Sequence, residues 1–510
     1  MSRDHAGGRR PVIVGVGQLA NKDEDRLLHP MELVESATRL ALEDSGGGLL
    51  ATLDGIYTTP VSVFSPTSSA EELAVRLGVR PVTLVESRYT GSAPQEMMAA
   101  ACGEIAGGRI RSAVVAGGIA DASIRRARER GVAPPAPPTS AWSQGSQRPG
   151  ELALTRQPRF GSFDGPPGER AAGLSIPVGH FAMIESALAA AAGRDTTQQT
   201  AWLGRLMAPF TEVAARHPSL AWFPAARRPA ALSSVGPDNR MVAQPYPKLM
   251  TSFPTVDLAA ALVVTSEEEA DRAGIPASQR VYPWAAASCQ EPNFPSERPD
   301  VGRTPALTAA VQRAAAAAGI DPRNVDLVDL YSCFPAAVQL GAVAIGLDPL
   351  ARELTVTGGL PYFGGPGASY VTHALVTMVQ ALRGRPGATG LVAGVGGLAT
   401  HFAAGLYSFD PPAVGWTNDL CEDVTDSLRE QRVALDLTAV GTAQVEAMTV
   451  LHDRERGPLE APVFARFADG RRTAARVAYP ALAAELDGVS LVGRAVRIEV
   501  SGDQPTYVPA

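Results

Sequence analysis

The chain has 510 residues, of which 45% are hydrophobic and 19% charged, and its formal net charge is −7. That length implies two or three domains rather than one core, and the composition excludes a disordered chain. The acidic balance argues against nucleic acid as the main partner, because phosphate contacts want a basic face, but it leaves room for a local basic pocket around a phosphorylated cofactor.

In chain order, Met31 to Ser45 has helical periodicity and Leu53-Asp54-Gly55-Ile56-Tyr57 reads as a strand. A glycine turn, Thr90-Gly91-Ser92-Ala93-Pro94, precedes a small-residue helix from Gln95 to Ile105. The strand Ser112 to Ala116 follows, closed by Gly117-Gly118. Arg125 to Arg170 is rich in Pro, Gly, Ser and Arg, and a stretch this long without periodicity predicts a lid or a disordered segment. Helices resume at Phe181 to Ala192 and Thr197 to Ala215.

The first order of elements then returns. Ala306 to Gly319 is a helix, Val328 to Tyr331 a strand, Gly364 to Ser369 a glycine turn, Val371 to Leu382 a helix, and Gly390 to Gly394 a strand followed by Gly396-Gly397. Gly91 lies 34 residues after Tyr57, and Gly365 lies 34 residues after Tyr331. Alternating helices and buried strands in two matching halves predict a layered α/β fold with a pseudo-dyad and a site drawing loops from both halves. The expected divisions are 9–250 for the first half, with a lid region at about 119–250, then 251–415 for the second half. Beyond Leu420, alternation at Gly441–Val450, Pro462–Phe467, Thr473–Val477 and Arg494–Val500 predicts a small antiparallel β-barrel-like domain over 420–510.

The four cysteines, Cys102, Cys289, Cys333 and Cys421, are far apart and form no CxxC pair, so they read as reduced thiols of a cytoplasmic protein. Met1 to Arg10 lacks the apolar core of a signal peptide, and Tyr507-Val508-Pro509-Ala510 is no peroxisomal address. No apolar run approaches the roughly 18 residues of a spanning helix, so no membrane partner is expected. His5, His29, His180, His217 and His452 show no useful spacing, and no His/Cys/Asp cluster predicts a metal site.

Asp329-Leu330-Tyr331-Ser332-Cys333-Phe334 resembles the His-Asp-Cys-Phe loop of sterol-carrier-protein-associated thiolases. Gly364 to Ser369 is similar to the thiolase Gly-Gly-His-Pro turn, and Ala393 to Gly397 to the Cys-x-Gly-x-Gly loop. The resemblance spans roughly Pro11 to Asp410, and the tail looks like the extra domain of the thiolase-like proteins of type 1. It implies the five-layered αβαβα thiolase fold and a place in lipid metabolism. It also implies coenzyme A or acyl-CoA as substrate or ligand, with no covalently bound cofactor, and leaves monomer and homodimer open.

Thiolase chemistry uses a cysteine nucleophile at a buried helix N-terminus, a histidine that activates it and a second cysteine that moves the α-proton. The matching positions here are Gly91 or Ser92, Pro366 and Ala393. Ser92 could accept an acyl group, but a helix N-cap ahead of Pro94 is the simpler account. The reactive groups left are Cys333 in its loop, Tyr331 as a hydrogen-bond donor or weak acid, and His401 and His373 as replacement bases. Each also has a bland reading as a buried hydrophobe, a strand end or a core histidine. Cys102 suits helix packing. Gly364, Gly365, Gly396 and Gly397 are expected to shape the ligand turn, with Arg240 and Lys248 meeting phosphate or merely solvating the surface. The cluster Arg125, Arg126, Arg128 and Arg130 is expected on a solvated helix face.

Three functions compete. The first is an enzyme acting on acyl-CoA, either an acyltransferase or a carbon–carbon lyase of retro-aldolase type. The second is a non-catalytic CoA-binding protein. The third is a partner-docking or oligomer-blocking role for the C-terminal domain, in which Arg471 and Arg472 meet an anionic ligand or simply decorate a charged hairpin.

Overall fold

The computed structural model describes residues 9–61, 68–135, 165–502 and 504–510. Of the expected lid, residues 136–164 lie outside the described residues, as does His5.

Two five-stranded sheets form the core. In the first, the order is Pro11–Ala20, Asp257–Ser266, Ser112–Ala120, Leu53–Thr58 and Thr83–Glu86. Asp257–Ser266 runs antiparallel to both neighbours, and the strands on the far side are parallel. The second sheet repeats the plan with Thr417–Asp419, Tyr282–Gln290, His401–Ser408, Thr389–Gly396 and Leu327–Leu330, and here His401–Ser408 is the antiparallel member.

Helices Ala93–Ala106 and Tyr370–Leu382 lie between the sheets and touch strands of both. Helix Pro30–Asp44 covers the outer face of the first sheet, and Pro305–Ala318 and Pro335–Ile345 cover the second, which completes five αβαβα layers. The layers approach closely because the strands carry small residues. A Cβ on Gly17 would press on the backbone nitrogen of Ala41 in helix Pro30–Asp44 at 2.6 Å.

Strand Asp257–Ser266 is buried along its whole length. Covered on both faces, it has an unbroken apolar run, Leu258 to Val264, in place of an alternating one. The expected division at 250/251 falls ahead of this strand, which belongs to the first sheet.

The C-terminal residues form a closed five-stranded barrel from Gly441–Met448, Val463–Phe467, Arg472–Val477, Gln504–Pro509 and Ala495–Ser501. It is antiparallel apart from one parallel pair, Arg472–Val477 with Gln504–Pro509. A separate four-stranded sheet joins Leu451–Asp453 and Gly457–Glu460 to Met241–Ala243 and Tyr246–Pro247, so the C-terminal region shares backbone pairing, outside the barrel itself, with the region expected as lid.

Arg472 is fully buried. Its guanidinium donates to the carbonyls of Ser296 (2.8 Å) and Arg298 (2.5 Å) and pairs with Glu446 at 2.5 Å. It ties the barrel to the core and is no surface decoration. Arg126 likewise departs from the solvated face expected of it: it is buried against the carboxylate of Asp257.

Candidate functional site

The N-terminus of helix Ala93–Ala106 points at the junction of the two halves, where a cavity of about 350 Å³ opens. Its wall includes Tyr89, Thr90, Gly91, Ser252, Tyr331, Cys333, Gly365, Gly367 and Gly397. Turns from both halves therefore meet at one place.

Gly91 and Tyr331 fit each other. A Cβ on residue 91 would lie 2.5 Å from the Tyr331 ring carbon Cζ, and it would also collide with the phenol oxygen and the Val395 carbonyl. Any side chain at 91 is excluded while Tyr331 holds this position. The phenol thus fills the space that a nucleophile on residue 91 would need. Burial pushes its pKa well above the ordinary tyrosine value, so it stands as a neutral donor.

The loop that carries Tyr331 is fixed from below. Asp329 is buried, and its Oδ2 accepts from Thr355 Oγ1 (2.8 Å), Thr357 Oγ1 (2.8 Å) and the amides of Val356 (3.0 Å) and Thr357 (3.1 Å). Ser332 Oγ accepts from the Leu360 amide at 3.2 Å, and the Cys333 carbonyl from the Ser252 amide at 2.9 Å. Phe334 packs on Phe181 with ring centroids 4.9 Å apart. Behind it, Glu185 accepts from Tyr246 (2.7 Å), Gln339 (2.7 Å) and Gln199 (2.5 Å). Cys333 faces the cavity, but burial raises its thiol above the usual range and keeps it protonated.

The turn Gly364 to Ser369 closes the opposite wall. Gly364 has φ +123°, and Gly367, at φ +57°, has no room for a Cβ because the Tyr89 hydroxyl occupies that place. Gly396 presses on the Thr90 hydroxyl in the same way. Gly365 and Gly397 line the cavity, with Gly364 and Gly396 beside them in the chain.

The other expected residues lie elsewhere. His373 is wholly buried in helix Tyr370–Leu382, where Nδ1 sits 2.9 Å from Gln18 Oε1 and the ring tilts on Phe363. Burial lowers its pKa to about 3. It does not line the cavity, so it is placed as a core histidine rather than a base. His401 lines a second cavity, which meets the first at Thr90. Its pKa falls to about 4 through burial and the nearby Arg88 guanidinium.

Arg240 is half-buried and donates to the Met241 carbonyl at 3.0 Å, while Lys248 is exposed; neither lines the cavity. Ser92 takes the N-cap position, yet its hydroxyl makes no capping bond. No group of His, Cys, Asp and Glu among the described residues is arranged to hold a metal ion, and no helix among them is long and apolar enough to cross a membrane.

Tyr89, Thr90 and Ser252 are cavity residues that the sequence reading did not single out. Tyr89 and Thr90 adjoin Gly91 in the chain, which was the available signal. Burial raises the Tyr89 phenol to about 12. The cavity therefore offers two neutral phenols, a protonated thiol and two hydroxyls. Such groups donate hydrogen bonds to a carbonyl oxygen and stabilise charge that develops on it, but none is a ready nucleophile.

No protein-family model and no curated protein sequence matches the chain. Among solved structures, a monomeric SCP2-thiolase-like protein type 1 from Mycobacterium smegmatis is 28% identical, covering 99% of this chain and 100% of that one, with a TM-score of 0.83. An Ltp2–ChsH2(DUF35) aldolase is 20% identical over 78% of this chain and 97% of its own, TM-score 0.56. Acat5 thiolase from Ascaris suum, solved in complex with coenzyme A, is 16% identical over 78% of this chain and 100% of its own, TM-score 0.55. The latter two share the fold. With the duplicated five-layer core, the junction cavity and the appended barrel, the chain has the thiolase fold and is similar to the sterol-carrier-protein-associated thiolase-like branch of that superfamily.

Proposed function

We propose that the protein binds an acyl-CoA thioester at the junction cavity and makes or breaks a carbon–carbon bond next to the thioester carbonyl without forming an acyl-enzyme. The observation that carries this reading is the Tyr331 phenol filling the side-chain space of residue 91. An acyltransferase of the thiolase kind needs an acyl acceptor there. Cys333, the remaining cavity thiol, is held protonated by burial.

A retro-aldol cleavage suits neutral donors. The β-hydroxyl of the substrate gives up its proton as the carbon–carbon bond breaks, an aldehyde or ketone leaves, and the thioester enolate takes a proton at its α-carbon. The reaction is proton-neutral overall, so buried phenols can serve it without lasting ionisation. Tyr331 donates to the thioester oxygen as enolate charge grows on it, and Tyr89 lies near enough to Tyr331 to raise that phenol's pKa further.

The test is turnover of a panel of β-hydroxyacyl-CoA thioesters, with carbonyl product and shortened thioester measured together and the intact protein weighed during reaction. Product without a mass increase supports the proposal; a stable acyl adduct on the protein overturns it. A second reading, a CoA-binding protein without activity, is favoured by the absence, among the described residues, of a cavity-lining histidine or carboxylate. Calorimetric binding of CoA with no turnover of any thioester would select it. The proposed oligomeric state is a monomer, after the monomeric relative from Mycobacterium smegmatis.

A further inference from the structure

A second cavity of about 450 Å³ lies on the far side of Thr90 from the first. Its inner wall is built from both halves of the fold by Arg88, Thr90, Glu96, Ser288 and His401, and helix Glu422–Glu430 forms its rim. Unlike the first cavity, it is lined mainly by polar and charged side chains.

Two donor atoms at its inner end, Arg88 Nε and the Thr90 hydroxyl, have no hydrogen-bond partner. The Nε of Arg88 is buried and has no hydrogen-bond partner, and no carboxylate among the described residues forms an ion pair with this guanidinium. Its Nη1 lies 3.4 Å from His401 Nε2, a weak contact for a full positive charge. The Thr90 hydroxyl, on a residue 5% exposed, also lacks a partner. Buried donors are nearly always satisfied, and a guanidinium beside a hydroxyl is satisfied by a planar anion.

The nearby acids do not fill that role. Asp426, on the rim, is paired with Arg429 at 2.6 Å. Glu422 is exposed at the same rim. Glu96 shares the inner wall, near enough for the Arg88 charge to act on its carboxyl but without forming an ion pair; burial, the larger effect, raises its pKa and so weakens the charge it sets against an incoming anion.

We propose that this cavity is a carboxylate-binding site, in which Arg88 and Thr90 donate to the carboxylate oxygens and His401 stands beside them. The carboxylate could belong to a free small dicarboxylate or to the far end of an acyl group whose thioester sits in the first cavity. The first source is independent of the function proposed above, whereas the second rests on it.

Histidine ring signals followed by NMR while succinate is added to the full chain test the free source without any variant. A bound carboxylate next to His401 raises that ring's pKa, so its signals move toward the protonated form at fixed pH near 5. Calorimetry with succinyl-CoA against butyryl-CoA, which differ only in the terminal carboxylate, tests the second source. Arg88→Gln is expected to weaken whichever binding occurs by about tenfold or more, the value of a charged hydrogen bond, and to leave CoA binding itself unchanged. A His401 response to succinate, or a succinyl over butyryl preference that Arg88→Gln removes, supports the site. If succinate leaves the His401 signals still and succinyl-CoA binds no tighter than butyryl-CoA, the site does not exist.

Discussion

The ring carbon Cζ of Tyr331 stands 2.5 Å from the point where a Cβ on residue 91 would be placed. The two positions are therefore coupled, and a cysteine cannot be restored at 91 alone. Gly91→Cys is expected to cost about 1–3 kcal/mol of stability through overpacking. Tyr331→Ala added to it removes the collision with the ring, though not that with the Val395 carbonyl, and recovers part of that loss. Denaturant titration of the two single variants and the double variant measures the coupling, and simple additivity would contradict it.

Thiol reactivity should follow environment rather than proximity to the candidate site. Cys333 faces the junction cavity but is kept protonated by burial. Cys289 lines the second cavity, and hydrogen bonding, first from Cys421, lowers its pKa. Iodoacetamide at pH 7.5 (about neutral, where thiolate fraction controls rate) should modify Cys289 well before Cys333. Peptide mass spectrometry over time reads the order, and faster labelling of Cys333 would contradict the assignment of its protonation state.

The buried histidines should make the protein acid-labile. His373 titrates at about 3 and His401 at about 4 in the folded chain, each below the ordinary 6.5. Between these values and 6.5 the unfolded chain binds more protons, so the stability of holding both rings neutral is full above pH 6.5 and is lost as pH falls. Each ring contributes up to about 1.4 kcal/mol per pH unit in that window. His373→Gln, which keeps a polar group opposite Gln18, should remove one ring's share of the slope. Urea titrations at pH 7, 6 and 5 (about one unit apart) check this, and an unchanged slope in the variant would refute it.

Arg472 should matter more than its place in a charged hairpin suggests. It satisfies carbonyls of the core from inside the barrel wall. Arg472→Met retains apolar bulk but leaves those carbonyls and Glu446 without their donor, at a cost of at least about 2 kcal/mol. Thermal unfolding followed by near-ultraviolet dichroism gives the loss; Arg471→Met, at an exposed neighbour, is the control and should change little.

The duplication was legible because its markers are local. Glycine turns at Gly91 and Gly365, each followed by a helix and a strand, repeat at the same distance along the chain, and the structure sets both at one junction. Strands such as Leu258–Val264 and Ala285–Ala287 escaped notice because burial on both faces removes the alternation that identifies a strand. Tyr331 was found by its place in the loop, but its fit against residue 91 depends on contact between halves and has no local signature. His373 and His401 were chosen for residue type and loop position. Their depth, and the cavity that His401 faces, are set by layer packing, which nothing in a short window records.

The pairing of Leu451 with Ala243 places a late part of the chain beside a much earlier one. Among the described residues, the short strands Met241–Ala243 and Tyr246–Pro247 have no other sheet partner than each other and this late arrival. During synthesis the intervening segment must close a very long loop before that edge is covered. Until Leu451–Asp453 have emerged, the edge stays open to stray strands, so the growing chain is vulnerable to aggregation over that interval.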